Sequence, residues 1–347
     1  MWKRSIIGVV MGLLVFGVLL WAEEGTLVRS LSSRFEEGLP EAWEIQEGTW
    51  TVEGGVLTGV DGFLISSLSF PTDRRIEARV EFPSGAERAI IVGKYASEQW
   101  VKAFLAPNGR TAVVLYAAGE ERSWTAEVGP LAEGWHELVL GFAGSRAVFF
   151  VDGKKAIEAE SPAIGRLAGK AGLGAEGQVL FDDVCVTSFP QPAIITSLGQ
   201  SPGALMAKIL AKKAGLEFLY DPRLKSDALE GTGTLLIVLG ASSKGLGAAG
   251  IDVEDEITRG HALLNKAREL GIPVIMMHIE GSSRRGKMSD RLIKEFIPLA
   301  DYVVVKADGN ADGLFTELTL SHDLPLRIVE KTAQVAGVLK DLFGLWE

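Results

Sequence analysis

The sequence holds a single cysteine, Cys185, among 347 residues. No disulfide can therefore form within the chain, and a cysteine-rich metal site is excluded. Positive charge is in deficit. The 35 Lys and Arg stand against 45 Asp and Glu, a formal net charge of −10. A general nucleic-acid binder needs a basic footprint to displace counterions from phosphates, and this balance argues against one while leaving room for a local basic pocket. No Gly-Lys-Ser/Thr stands at the offset of a Walker A loop, and no clean G-x-G-x-x-G occurs. The acidic residue expected after the second strand of a dinucleotide fold is also not evident, which argues against a nicotinamide cofactor. What remains is a globular composition, 47% hydrophobic and 23% charged. The length suits two domains of ~100–200 residues each.

Lys3 and Arg4 precede an uncharged apolar run from Ile6 to Ala22, closed by Glu23 and Glu24. A positive start before an apolar core is an export signal, with the cations held inside. The run falls between a long signal core and a short span of ~17–25 residues. Leu20 fits the small-residue cleavage pattern poorly, and Trp21 suits a membrane interface, so cleaved signal and retained anchor both stay open for residues 1–24. Either places the protein outside the cytoplasm, in the cell envelope, periplasm or extracellular space. If the segment is uncleaved, the membrane is a partner.

Residues 27–189 read as short alternating runs: Thr49–Val52, Arg75–Phe82, Ala112–Tyr116, Glu137–Phe142 and Ala147–Val151. Alternation marks strands with one buried face. Asp152-Gly153 and Asn108-Gly109 are hairpin signals. The expected fold is an all-β jelly-roll sandwich. Trp50-Thr-Val-Glu-Gly-Gly-Val-Leu57, Phe149-Phe-Val-Asp-Gly153 and Gly177-Gln-Val-Leu-Phe-Asp-Asp-Val184 carry a resemblance to concanavalin A-like, laminin G-like sandwiches. That resemblance implies glycan contact, in some members with cleavage. Cleavage needs two carboxylates flanking the bond. The Glu-x-Asp-x-x-Glu strand of the related glucanases is missing, so binding is expected over hydrolysis. Asp182 and Asp183 are adjacent, so their side chains are expected on opposite faces of a strand, closing the sandwich or holding a metal. Tyr95, Trp100, Trp124 and Trp135 are candidates for stacking on sugar rings, with core packing as the rival role.

Phe189-Pro-Gln-Pro192 cannot continue a ladder, which makes 190–192 the expected linker. From Ala193 to Glu347 apolar strands alternate with helical patterns: Ala193–Ser197, Glu217–Tyr220, Thr234–Gly240, Val274–Ile279, Tyr302–Lys306 and Leu326–Val329 as strands. Ser201-Pro202, Asp252 and Ser289 are expected to start helices. The βα repetition predicts a mainly parallel sheet in a three-layer α/β domain, Rossmann-like or flavodoxin-like, with ligands beyond the carboxyl ends of the strands. Ile195-Thr-Ser-Leu-Gly-Gln-Ser-Pro202, Gly240-Ala-Ser-Ser-Lys-Gly-Leu-Gly-Ala-Ala-Gly250, Gly281-Ser-Ser-Arg-Arg-Gly286 with Ser289-Asp290, and Asp308-Gly-Asn-Ala-Asp-Gly-Leu-Phe315 resemble a bacterial α/β family of unknown function. That resemblance implies the fold and carries no activity.

The same loops supply the candidate site. Gly199, Gln200 and Ser201 follow the first strand. Ser242, Ser243, Lys244, Gly245 and Gly247 lie in the glycine-rich loop, where amides and a helix start suit an anion. Arg284 and Arg285 suit a bidentate grip on phosphate or carboxylate. Asp308, Asn310 and Asp312 either face the ligand or serve as turn residues. Glu280, Asp308 and Asp312 are candidate ligands for a divalent metal. His278 is a candidate general base with Ser243 or Ser282 as nucleophile, or a core histidine, and His261 reads as structural. Three functions compete. The first is an extracytoplasmic protein binding glycan on the sandwich and a small anionic ligand on the α/β domain. The second is an envelope hydrolase or transferase acting on a phosphorylated or acidic sugar. The third is an assembly protein with protein partners.

Overall fold

The computed structural model describes residues 30–346, apart from 37, 72 and 97. The segment expected to act as signal or anchor lies outside them. Among the described residues no helix is long and apolar enough to cross a membrane.

The first part is antiparallel. Its strands are β1 (Ser30–Ser33), β2 (Trp43–Glu53), β3 (Val56–Phe70), β4 (Arg75–Glu81), β5 (Arg88–Ala96), β6 (Gln99–Leu105), β7 (Arg110–Ala117), β8 (Glu120–Glu127), β9 (His136–Ala143), β10 (Arg146–Val151), β11 (Lys154–Glu160) and β12 (Gly169–Thr187), with a short helix α1 (Pro162–Arg166) before the last. β12 is long enough to serve two layers. Its first half pairs with β5, its second half with β4, and β3 follows it on the other edge. The strand path β11-β10-β9-β4-β12-β5-β6-β7-β8 thus folds over on itself. Alternate residues from the two halves, Leu138, Leu140 and Phe149 on one side and Ile91, Val101 and Val113 on the other, meet in one core. The expected hairpin at Asp152-Gly153 joins β10 to β11, with φ of 49° and 71°, as a two-residue turn between right-twisted strands requires.

Asp182 and Asp183 depart from the simple strand rule. A register shift separates Asp182 from Cys185, and Asp183 has φ 47°. This bulge cancels the alternation, so both carboxylates reach Arg79, at 3.5 and 3.3 Å.

The second part is a separate six-stranded sheet, all parallel: β13 (Ala193–Leu198), β14 (Phe218–Tyr220), β15 (Thr234–Leu239), β16 (Val274–His278), β17 (Tyr302–Lys306) and β18 (Leu326–Val329). Spatial order is β14-β13-β15-β16-β17-β18. The helices are α2 (Gly203–Ala214), α3 (Ser243–Ala249), α4 (Val253–Glu269), α5 (Lys287–Phe296), α6 (Leu314–Ser321) and α7 (Val335–Leu342). Continuous apolar strands are buried on both faces, as parallel sheets demand. Ile195, Leu236, Val238 and Met277 pack on α2 and α7. Ile194, Leu235, Ile237 and Met276 pack on α4 and α5. α4 begins at the expected Asp252, which forms a reciprocal capping box with Asp255. Ser289 does not cap α5. The helix starts two residues earlier, and the Ser289 hydroxyl accepts the Ala241 N–H at 2.9 Å.

The two parts touch through the outer face of β4, β9 and β10. Arg327 reaches Glu137 at 3.2 Å and Glu77 at 3.9 Å. Arg34 donates to the Thr319 carbonyl in the last turn of α6 at 3.0 Å and to the Leu324 carbonyl beyond the helix at 2.8 Å. Trp346 lies against Gly141, where an added Cβ would stand 2.1 Å from its ring, and its carbonyl accepts from Arg146 at 2.9 Å.

Candidate functional site

The predicted rim lies where β13 and β15, neighbours in space, send their connections to opposite faces of the sheet. Ligands enter such a crevice in open α/β sheets. Here it is laced by the chain itself. Gln200 and Ala241 form a backbone bridge, and the Ser242 N–H donates to the Gly199 carbonyl at 2.8 Å. Two carboxylates fill the anion positions. Glu256, fully buried, accepts the Gly199 N–H at 2.6 Å and the Gln200 amide at 3.2 Å. Arg259 closes it from behind with two contacts of 2.9 Å. Glu280 accepts from the Ser201 hydroxyl and from the Gly203 N–H at 3.0 Å, at the N-terminus of α2. That is where an amide-bound anion would sit.

Arg284 and Arg285 are engaged by the same logic. Arg284 donates to Glu280 at 2.9 Å and to the Ala241 carbonyl at 3.3 Å. Arg285 grips Asp312 bidentately at 2.9 and 2.7 Å and Asp290 at 2.6 Å. This grip holds the Asp312 carboxyl down to about 2, with hydrogen bonding to Arg285 as the leading cause. Asn310 caps α6, its side-chain oxygen accepting from Phe315 N–H at 2.9 Å. Asp308 takes the Lys306 ammonium at 2.9 Å and the Ser282 hydroxyl at 3.3 Å. The metal candidates Glu280, Asp308 and Asp312 therefore each hold a different cation. Among the described residues no group of three or more His, Cys, Asp or Glu side chains converges.

The expected glycine-rich loop is mostly helix. Ser243 to Ala249 form α3, Ser242 caps it through Gly245 N–H at 3.1 Å, and Gly247 lies within it. The Gly245 N–H is taken by that cap and the Leu246 N–H by the Ser242 carbonyl at 2.8 Å. Ser243 and Lys244 are exposed on its first turn. The nucleophile–base pairing expected of His278 does not form. His278 is fully buried, with Nδ1 3.0 Å from the Leu239 carbonyl and Nε2 3.1 Å from the Gly281 carbonyl. Both nitrogens face backbone carbonyls rather than Ser243 or Ser282, and burial lowers the basicity of the ring. His261 pairs with Glu295 at 2.7 Å on the helix surface.

The sandwich presents a different arrangement on the outer face of β3, β12, β5, β6, β7 and β8. Residues opposite each other in register share a face. One row runs Lys170–Tyr95–Trp100–Tyr116–Glu121. The next runs Ile65–Gly172–Val92–Lys102–Val114–Ser123, and a third Phe63–Gly174–Ile90–Phe104–Ala112–Thr125. Aromatics thus fall side by side. Trp100 and Tyr116 stack at 5.5 Å between centroids and 20° between planes. Gly174 lets Phe63 lie across the central strand, since a Cβ there would stand 2.7 Å from its ring. Lys102 holds its ammonium 4.3 Å from the Trp100 ring and 5.7 Å from Phe63. Arg88 lies 5.0 Å over Phe104 and pairs with Glu176. Two adjoining clefts of about 650 and 230 Å³ open on this face, sharing Arg88, Phe104 and Thr125. Burial lowers the Lys102 ammonium below the usual lysine range, against the pull of Glu121 and Glu176.

Of the four aromatics singled out in the sequence, two belong to this face. Trp124 points the other way and packs on the core, and Trp135 lies under Arg79 at 5.0 Å. Phe63, Arg88, Lys102, Phe104, Tyr116, Glu121 and Glu176 were not anticipated. Their signal was the period-2 spacing of Trp100, Lys102 and Phe104 within one strand.

The sequence profile of a family described as a domain of unknown function, DUF6305, matches residues 190–343, in line with the resemblance of the second part to a family without assigned activity. None of the curated proteins matches the chain. Among solved structures, the carbohydrate binding module CBM66 from Bacillus subtilis is similar at 19% identity, covering 42% of this chain and 96% of that one, with a TM-score of 0.37. A Bacillus licheniformis β-glucanase is similar at 12% identity, covering 46% and 98%, with a TM-score of 0.39.

Proposed function

We propose that this protein is an exported glycan-binding protein whose concanavalin A-like sandwich holds a carbohydrate on its aromatic face. The observation that carries the reading is the cross-strand row Tyr95–Trp100–Tyr116, half-buried beside an open cleft and bordered by charged side chains. Flat, partly exposed aromatic rings suit the apolar faces of sugar rings, and the bordering charges suit hydroxyls. The α/β part, flavodoxin-like in strand order, serves in this reading as the support on which the sandwich is mounted. Binding is assigned to the sandwich rather than the rim because the rim's anion positions are already held by Glu256 and Glu280. Export rests on Lys3-Arg4 and the apolar run after it.

Affinity electrophoresis of the full chain in mild detergent, through gels containing different polysaccharides, tests the reading. At least one polymer should retard the wild type. Trp100→Ala should weaken that retardation about tenfold or more, as loss of a central anchor does. Trp124→Ala, on the core side, is the contrast and should act on stability instead. If no polysaccharide retards the wild type, the reading is wrong.

A further inference from the structure

Among the described residues the aromatic face carries four cations, and three of them are ion-paired. Arg88 pairs with Glu176, Lys170 lies 3.7 Å from Glu44, and Arg110 lies 3.7 Å from Glu127. Lys102 differs. It sits in the middle row, with Val92 and Val114 to either side and Trp100 and Phe104 on its own strand. Among the described residues no carboxylate lies within 4 Å of its ammonium, whose close neighbours are the rings of Trp100 and Phe63. Ring faces compensate a half-buried ammonium only in part. Removing water from it under a bound sugar would deepen the deficit unless the sugar brings an anion.

Resting on the glycan reading above, we propose that the sugar held on this face carries a carboxylate and that Lys102 receives it. The surroundings set the kind of anion. Glu121 and Glu176 line the same cleft, and Glu127 lines the adjoining one. A densely sulfated chain would meet repulsion from these glutamates. A uronic acid places one charge per ring, leaving its hydroxyls free to donate to Glu121. A lysine, as a compact point charge, suits a single carboxylate.

The test measures binding of the full chain in mild detergent to polygalacturonate, alginate and glucuronoxylan. Each polymer is compared with its carboxyl-reduced counterpart, which keeps the rings and loses the charge, and dextran sulfate is added as a dense polyanion. The proposal expects one uronate polymer to bind at least tenfold more tightly than its reduced form. Lys102→Gln should bring the two forms level, and Lys102→Arg should keep most of the preference. Equal binding of native and reduced polymers by the wild type overturns the uronate assignment and leaves the glycan reading standing, as does tighter binding of dextran sulfate. A preference that survives Lys102→Gln overturns the role of Lys102. Binding of no glycan, neutral or acidic, overturns the glycan reading itself.

Discussion

Lys94 is fully buried, donating to the Ile164 carbonyl at 2.7 Å and lying 4.6 Å from the Phe142 ring. Burial pushes its ammonium from 10.5 down to about 7, with Arg74 adding to the shift and Asp73 opposing it. The unfolded chain therefore binds this proton more tightly than the folded one. Stability linked to Lys94 is lowest below pH 7 and rises from about 7 towards 10.5, by about 1.4 kcal/mol per pH unit. Between pH 7 and 8.5, then, the wild-type denaturation midpoint should rise and Lys94→Met should flatten that rise, as chemical denaturation at several pH values would show. An unchanged slope would mean that the lysine is charged where it sits. The aromatics show how far single residues could be read beforehand. Tyr95, Trp100, Trp124 and Trp135 carry equal weight as letters, and alternation says only that neighbours in a strand part company. Which side is the core depends on the opposite layer of the sandwich, such as Leu140 and Phe149, which local spacing does not reveal.

At the scale of elements, α2 starts against a carboxylate that the chain supplies itself. Glu280 is mostly buried and satisfies the Gly203 N–H, the Ser201 hydroxyl and Arg284 together. Glu280→Ala should cost about 3 kcal/mol, because it leaves a cation and a helix start without their counter-charge. It should also create sensitivity to inorganic phosphate. The melting temperature of the variant should rise with phosphate while that of the wild type stays level, and a level response in both would show that this helix start has no pull on anions. Most elements of the parallel sheet were legible, because continuous apolar strands and a cap such as Asp252 are local signals. α3 was not. Gly245, Gly247 and Gly250 read as loop, yet Ser242 caps the segment and Leu246 is buried, and this tertiary anchor outweighs a propensity cost of about 1 kcal/mol per glycine. The Asp182–Asp183 bulge escaped for a similar reason, since it answers to Arg79 on a strand a hundred residues earlier.

Over the whole molecule, the sandwich uses its two outer faces differently. One is the aromatic face. The other is covered by the α/β part, where Arg75 and Glu77 meet at 2.5 Å and Arg327 joins them from β18. Burial raises the Tyr302 hydroxyl and the Asp341 carboxyl beside this group. Trp346→Ala should remove about 3 kcal/mol of packing against β9 and β10. Calorimetry should then resolve two transitions where the wild type gives one, and a single shifted transition would show that the charged group alone keeps the halves coupled. The seat of Trp346 on Gly141 also bears on how the protein is dissected. A scissile cut at the proline linker would strip an indole of its socket, leave one carbonyl in the last turn of α6 and one beyond it without their guanidinium, and bare a strip of arginines and glutamates shaped for each other rather than for water. Either fragment on its own would be a different object from the part it was taken from.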